Sequence, residues 1–119
     1  MVDNFLELGF NKVGQFQLHD GVLYFRPINF EYDTSIIVYS VLTDTETLYI
    51  GETINMMSGV LKDLTEGNPN RATRDRIHSL IKEYSKNSIV YFVVNEASQN
   101  SKQDLIERFS PVGNINGLK

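Results

Sequence analysis

The sequence contains no cysteine and only two histidines, and it has no long apolar run. Without cysteine the chain has no disulfide framework, thiol nucleophile or thiolate zinc site. His19 and His78 lie 59 positions apart, which argues against a histidine-based metal cage, so any bound metal would need oxygen ligands. No apolar stretch approaches the roughly 20 residues that cross a bilayer, and Asp3 stands where a signal peptide would carry a basic residue. These absences predict a cytoplasmic protein that does not contact a membrane.

The length of the chain limits the number of domains. A chain of 119 residues that is 41% apolar fits one domain with one core. We predict a single domain over 1–119, with a helical turn and a hairpin in 1–34 and the core in 35–119.

Charge is divided unevenly along the chain. Through residue 60, two basic residues, Lys12 and Arg26, stand against eight acidic ones, whereas beyond it nine basic residues face seven acidic ones. The formal net charge of −4 argues mildly against indiscriminate binding to nucleic acid, because that binding scales with the number of phosphates neutralised. Ordinary solvated faces and a molecule with one basic surface both fit this distribution. The acidic amino-terminal half is also a candidate surface for a basic protein partner.

The hydrophobic pattern predicts a small mixed domain. A short helix stops at Gly9, and Asp20-Gly21 separates two β-rich runs in the manner of a tight hairpin. A second antiparallel pair follows around a polar turn at Asp44, and a further strand lies near the carboxyl end. The predicted fold is α/β (α+β), a small antiparallel β-sheet flanked by helices with an amino-terminal β-hairpin extension. The later elements are predicted as strands over 36–41, 48–51 and 88–94 and helices over 54–64, 71–84 and 101–109, the last capped by Ser98 or Ser101.

The predicted helix over 71–84 carries the basic cluster of the chain. Its basic side chains, Arg71, Arg74, Arg76 and Lys82, are candidates for contacts with backbone phosphates, and they also fit a solvated helix face. His78 on the same helix is either a boundary histidine or a general base.

Two tyrosines carry a resemblance to a known family. Tyr39 and Tyr49 come to lie on adjacent strands if the second antiparallel pair closes through its turn. The run Ile37-Val38-Tyr39, ten residues or so before Tyr49-Ile50-Gly51, resembles the signature of the GIY-YIG nuclease superfamily.

Both ends of the chain extend this resemblance. Leu105-Ile106 followed by Pro111 and Asn114 is similar to the closing motif of that family. Leu8-Gly9-Phe10 and the hairpin after it are similar to the extension that precedes the domain in small bacterial members. The resemblance therefore implies a GIY-YIG-type fold over nearly the whole chain.

The resemblance also implies a site and a chemistry. Members of this family hydrolyse phosphodiester bonds with a tyrosine, an arginine and a glutamate that binds Mg²⁺. By position, Tyr39, Tyr49, Gly51 and Asn114 would belong to that site, and DNA would be the partner. The place of the arginine is taken by Gly59 and the place of the glutamate by Lys102, which reverses the charge. The resemblance thus implies a DNA-binding, endonuclease-like domain with impaired cleavage, in which Lys102 joins the nucleic-acid-binding residues.

Two alternatives stay open. An active Mg²⁺-dependent endonuclease would need an arginine or histidine from the helix over 71–84 and a relocated carboxylate, for which Asp104 and Glu107 point away from the face of Lys102. An acidic protein-interaction or inhibitor module, of the kind that a phage could encode, would need no metal.

Overall fold

The computed structural model describes residues 1–28, 36–54, 57–96 and 100–114. These ranges contain four helices and five strands in the predicted order. The Ser101 side chain caps the last helix by accepting from the Asp104 N–H, and the other predicted cap, Ser98, lies outside the described residues. The predicted boundary between 34 and 35 lies outside them as well. The elements are α1 (Val2–Glu7), β1 (Asn11–His19), β2 (Val22–Pro27), β3 (Ile36–Leu42), β4 (Thr47–Ile54), α2 (Met57–Glu66), α3 (Ala72–Tyr84), β5 (Val90–Glu96) and α4 (Lys102–Phe109).

Turn residues fix the amino-terminal elements locally. Gly9, with φ +97°, follows the end of α1, and Asp20 (φ 50°) with Gly21 (φ +77°) forms the two-residue turn between β1 and β2. All three residues have left-handed backbone, which glycine adopts without a steric penalty and aspartate tolerates. The predicted hairpin is confirmed.

The five strands form one antiparallel sheet in the order β2-β1-β5-β3-β4. Strand β5 lies at the centre, where it pairs with β1 on one side and β3 on the other. The hairpin therefore supplies two of the five strands of the main sheet. The predicted fold class, an antiparallel sheet flanked by helices, is confirmed.

Helices cover both faces of the sheet. The apolar sides of α2 and α3 pack on one face, together with residues such as Phe16, Val41 and Phe92. On the other face, α1 and α4 pack against Val38 and Val93. None of the helices in the described part of the chain is long and apolar enough to span a membrane.

The outer edge of β4 is covered by the segment after α4. Val112 and Gly113 donate backbone N–H groups to the carbonyls of Thr47 and Leu48, at 3.1 and 2.6 Å. This segment extends the pairing beyond β4 and brings the end of the described chain beside the paired tyrosines.

Candidate functional site

Tyr39 and Tyr49 project from the same face of adjacent strands. The register pairs Tyr39 with Gly51 and Val41 with Tyr49, so the two tyrosines are diagonal neighbours, and their ring centroids lie 6.1 Å apart. Tyr39 is only 3% exposed and stacks on Phe92 at 5.4 Å. Tyr49 is half-buried, so it is the phenol that meets solvent.

Gly51 makes room for the Tyr39 ring. A Cβ atom at position 51 would stand 2.4 Å from both Cζ and the hydroxyl oxygen of Tyr39. The Tyr39 ring thus fills the space that a side chain at position 51 would occupy. Gly51 therefore leaves space for the Tyr39 ring, and its direct part in a site stays a prediction.

Both phenols are held in the neutral form. Burial raises the pKa of Tyr39, and the neighbouring Tyr49 raises it further, while Arg74 opposes the shift. Burial also raises the pKa of Tyr49, against the charges of Arg76 and Arg74 and a hydrogen bond with Tyr39. At neutral pH these groups are hydrogen-bonding phenols, and neither is poised to take a proton from water.

An ion pair positions Arg74 beside the tyrosines. Its Nη1 donates to Oδ2 of Asp63 at 2.7 Å, and the two side chains are 20% and 13% exposed. Asn68 donates to the other carboxylate oxygen at 3.0 Å. Although burial opposes ionisation, these two hydrogen bonds and the Arg74 charge hold the pKa of Asp63 below its usual value. Asp63 on α2 therefore fixes an arginine of α3.

These side chains border a surface pocket of about 370 Å³, named the tyrosine pocket below. It lies at the β4 edge, between the start of α3 and the start of α4. Three cations, Arg71, Arg74 and Lys102, meet one carboxylate, Glu52, around it. Its described lining is Tyr39, Tyr49, Glu52, Arg71, Ala72, Thr73, Arg74 and Lys102.

Asn114 and Arg76 serve the covered edge of β4. The Asn114 side chain accepts from the Ile50 N–H at 2.8 Å and donates to the Ile50 carbonyl at 2.9 Å, as a paired strand would. Arg76 donates to the Gly113 carbonyl at 2.6 Å. Neither side chain lines the tyrosine pocket. Asn114 thus holds Ile50, the residue between Tyr49 and Gly51.

Two further candidates on α3 lie away from the pocket. Nδ1 of His78 donates to the Leu64 carbonyl at 2.8 Å, which ties α3 to the end of α2. Lys82 follows Arg74 by eight residues, about 12 Å along the helix. The structure does not bring either side chain to the tyrosines.

The resemblance-based positions on α2 and α4 have different outcomes. Gly59 provides no side chain on α2, but Arg71 and Arg74 supply guanidinium groups from α3. Lys102, the first residue of α4, does line the pocket. Asp104 and Glu107 do not, and the carboxylate found there is Glu52.

Sequence reasoning missed Glu52, Thr73 and Asp63. Glu52 directly follows Gly51, and Thr73 lies between two predicted arginines. The signal for both residues is therefore their closeness in sequence to predicted site residues. Asp63 had none, because its role depends on how α2 packs against α3.

Comparison with solved structures identifies the fold. A mutant of EndoII from bacteriophage T4, a GIY-YIG nuclease, matches with a TM-score of 0.72 at 20% sequence identity, covering 97% of this chain and 98% of that one. The chain has a GIY-YIG-type fold. No protein-family model and no curated protein sequence matches the chain.

Proposed function

We propose that the tyrosine pocket of this GIY-YIG-type domain binds the phosphate backbone of DNA. We also propose that the domain hydrolyses DNA poorly or not at all. One observation carries the proposal: Arg71, Arg74 and Lys102 converge on a pocket beside the tyrosine pair. Cations grouped in this way neutralise phosphates, and planar guanidinium groups can bind their oxygens in pairs. The nuclease fold of the EndoII mutant supports DNA as the partner.

The Mg²⁺ of the GIY-YIG family fits the residues present poorly. Glu52 is the one carboxylate among the described lining residues, and it is exposed and shares the pocket with Lys102. The described residues include no group of three or more side chains that could hold a metal ion. A divalent cation would therefore meet three positive charges and one ligand, so we assign no step to it.

The tyrosines also favour binding over hydrolysis. A phenol whose pKa is raised by burial stays protonated, so it can donate a hydrogen bond to a phosphate oxygen. It cannot readily accept the proton that an attacking water must lose. Tyr49, which is half-buried at the pocket, is the phenol placed to make that contact.

Band shifts with duplex DNA at two salt concentrations test this proposal. Three phosphate contacts predict that affinity falls about 40-fold between about 50 and 200 mM salt. Arg74→Gln should lower both the affinity and the magnitude of the salt slope, the latter by about one. Lys82→Gln is the matched control, because it removes a charge from the same helix away from the pocket. Absence of a shift at low salt, or equal effects of both variants, would contradict the proposal.

An active endonuclease is the second candidate, favoured by the presence of Glu52 and two arginines in the same pocket. Its test is nicking of supercoiled DNA with Mg²⁺, Mn²⁺ or EDTA. Metal-dependent nicking that Tyr49→Phe abolishes would establish this activity and overturn the impairment. We expect little or no nicking by the wild-type protein.

A further inference from the structure

Among the residues that the structure describes, one face of the sheet is covered over only part of its width. Helices α1 and α4 bury Val93 of β5, and Tyr91, two residues earlier, projects from the same face. Directly paired residues of antiparallel strands share a face, so the register continues this surface across β1 and β2. The surface, called the hairpin face below, comprises Lys12, Gln15, Gln17, Tyr24, Arg26 and Tyr91.

Aromatic rings and amides dominate the hairpin face. Tyr24 is 51% exposed, and Tyr91 is half-buried with the Lys12 ammonium 5.0 Å from its ring centroid. Arg26 donates to the side-chain oxygen of Gln17 at 3.3 Å. A pocket of about 380 Å³ opens beside Tyr24, lined by Gln17, His19, Tyr24, Phe25 and Arg26.

The distribution of charge selects this face within the amino-terminal half. Lys12 and Arg26 are the two basic residues of the first 60, and both lie on it. Within the described ranges, two carboxylates border the face. Asp20 lies 3.3 Å from His19, and burial together with the charge of Asp44 raises the pKa of Tyr91. The centre of the face therefore combines two cations with two tyrosines.

We propose that the hairpin face binds an unpaired stretch of a nucleic acid strand. A base stacks on the exposed ring of Tyr24, the amides of Gln15 and Gln17 bond base edges, and Lys12 and Arg26 meet phosphates. Stacking on an aromatic ring needs bases that are not paired, which distinguishes this ligand from the duplex assigned to the tyrosine pocket. The inference does not rest on that pocket, because β2 and β4 are opposite edges of the sheet.

Fluorescence anisotropy with a labelled oligothymidylate of about 12 nucleotides tests the inference. Tyr24→Ala should weaken binding at least about fivefold, since each stacked base contributes measurably. Tyr24→Phe keeps the ring on which a base stacks and should bind with nearly the wild-type affinity. Arg26→Gln should weaken binding and lower the salt slope. Melting temperatures check that the exposed substitutions leave the fold intact.

Arg74→Gln separates the two sites. It should weaken duplex binding and leave oligothymidylate binding unchanged, whereas Tyr24→Ala should do the reverse. The inference would be overturned if the wild-type protein bound no oligothymidylate, or if Tyr24→Ala had unchanged affinity for it. The hairpin face would then be assigned to a protein partner. Failure of duplex binding alone would overturn only the proposed function.

Discussion

At the scale of single residues, Gly51 decides where the Tyr39 ring can lie. Because a Cβ atom there would overlap the ring at 2.4 Å, Gly51→Ala should displace Tyr39 and lower the free energy of unfolding. Overpacking of this kind costs about 1–3 kcal/mol. Urea unfolding measures the loss, and near-UV circular dichroism reports the displaced tyrosine.

Gly21→Ala is the control for that substitution. A Cβ atom at position 21 would meet nothing within 4 Å, but the positive φ of +77° would strain it by about 1–2 kcal/mol. It should therefore destabilise the hairpin and leave the near-UV spectrum intact. A Gly51→Ala protein as stable as wild type would show that the ring has room elsewhere.

Buried Tyr39 also predicts an alkaline loss of stability. Its folded-state pKa is raised, so in the range where unfolded tyrosines ionise, near about pH 10, the folded state binds more protons than the unfolded state. The free energy of unfolding therefore falls as pH rises through this range and is unaffected by this group below it. Urea unfolding at pH values on both sides of about 10 should show a smaller loss for Tyr39→Phe than for wild type.

The exposed Tyr24 provides the comparison for that pH effect. Tyr24→Phe makes the same chemical change on a half-exposed ring and is the control for the loss of a phenol hydroxyl as such. If Tyr39→Phe and wild type lose stability equally, Tyr39 is not held protonated by the fold.

At the scale of elements, the segment after α4 behaves as a short sixth strand at β4. Asn114→Ala removes both side-chain hydrogen bonds to Ile50 and should cost about 1–3 kcal/mol, because a backbone donor and acceptor lose their partners. The specific readout is faster hydrogen exchange at the Ile50 amide. Asn87→Ala, at an exposed position after α3, should leave that amide protected. Unchanged exchange in Asn114→Ala would mean that β4 needs no partner at its outer edge.

The elements themselves were accessible from the sequence because their signals are local. Asp20-Gly21 and Gly9 carry their own backbone preferences, and the alternating and helical spacings lie within single elements. The tyrosine pair also followed from one turn, since Tyr39 and Tyr49 are joined by the β3-β4 hairpin. The confirmed fold class rests on these short-range features.

The pairing of distant elements was not accessible. Arg74 lies at the pocket because Asp63 of the preceding helix holds it there. The residues next to Arg74 in the sequence do not indicate that contact. Arg76, two residues later, instead donates a hydrogen bond to the carbonyl of Gly113, 37 positions further along the chain. Basic residues with the same local pattern thus have different roles, which only the packing of helices and tail decides.

At the scale of the whole molecule, the hairpin and the rest of the sheet should unfold together. Phe16 of β1 packs against Phe92 of β5 with ring centroids 6.2 Å apart, and Phe5 of α1 lies 4.6 Å from Phe109 of α4. Phe16→Ala and Phe5→Ala should each cost about 3–5 kcal/mol. Each ring joins parts of the chain that are distant in sequence. We therefore propose that the protein unfolds in one transition and that both substitutions lower the midpoint of this transition.

Coincidence of two probes tests this cooperativity. Far-UV circular dichroism and tyrosine fluorescence should follow the same urea curve in wild type and in both variants. Leu6→Ala, a more exposed neighbour of Phe5 on α1, should change the midpoint much less. A biphasic curve in which the hairpin unfolds first would instead establish residues 1–34 as a separate unit.

The central position of β5 sets the order in which the molecule can fold during synthesis. Strand β1 is made before β5, and its partner residues on β5 lie some 80 positions later, as in the pairing of Asn11 with Val94. Until the ribosome has released β5, the β1-β2 and β3-β4 hairpins are two separate ribbons, each with an open edge. Because the entropy of closing a loop of this length is lost before the strands pair, we expect the insertion of β5 to be the slow step of folding. A nascent chain paused before β5 is accordingly the species most exposed to aggregation and to chaperone capture.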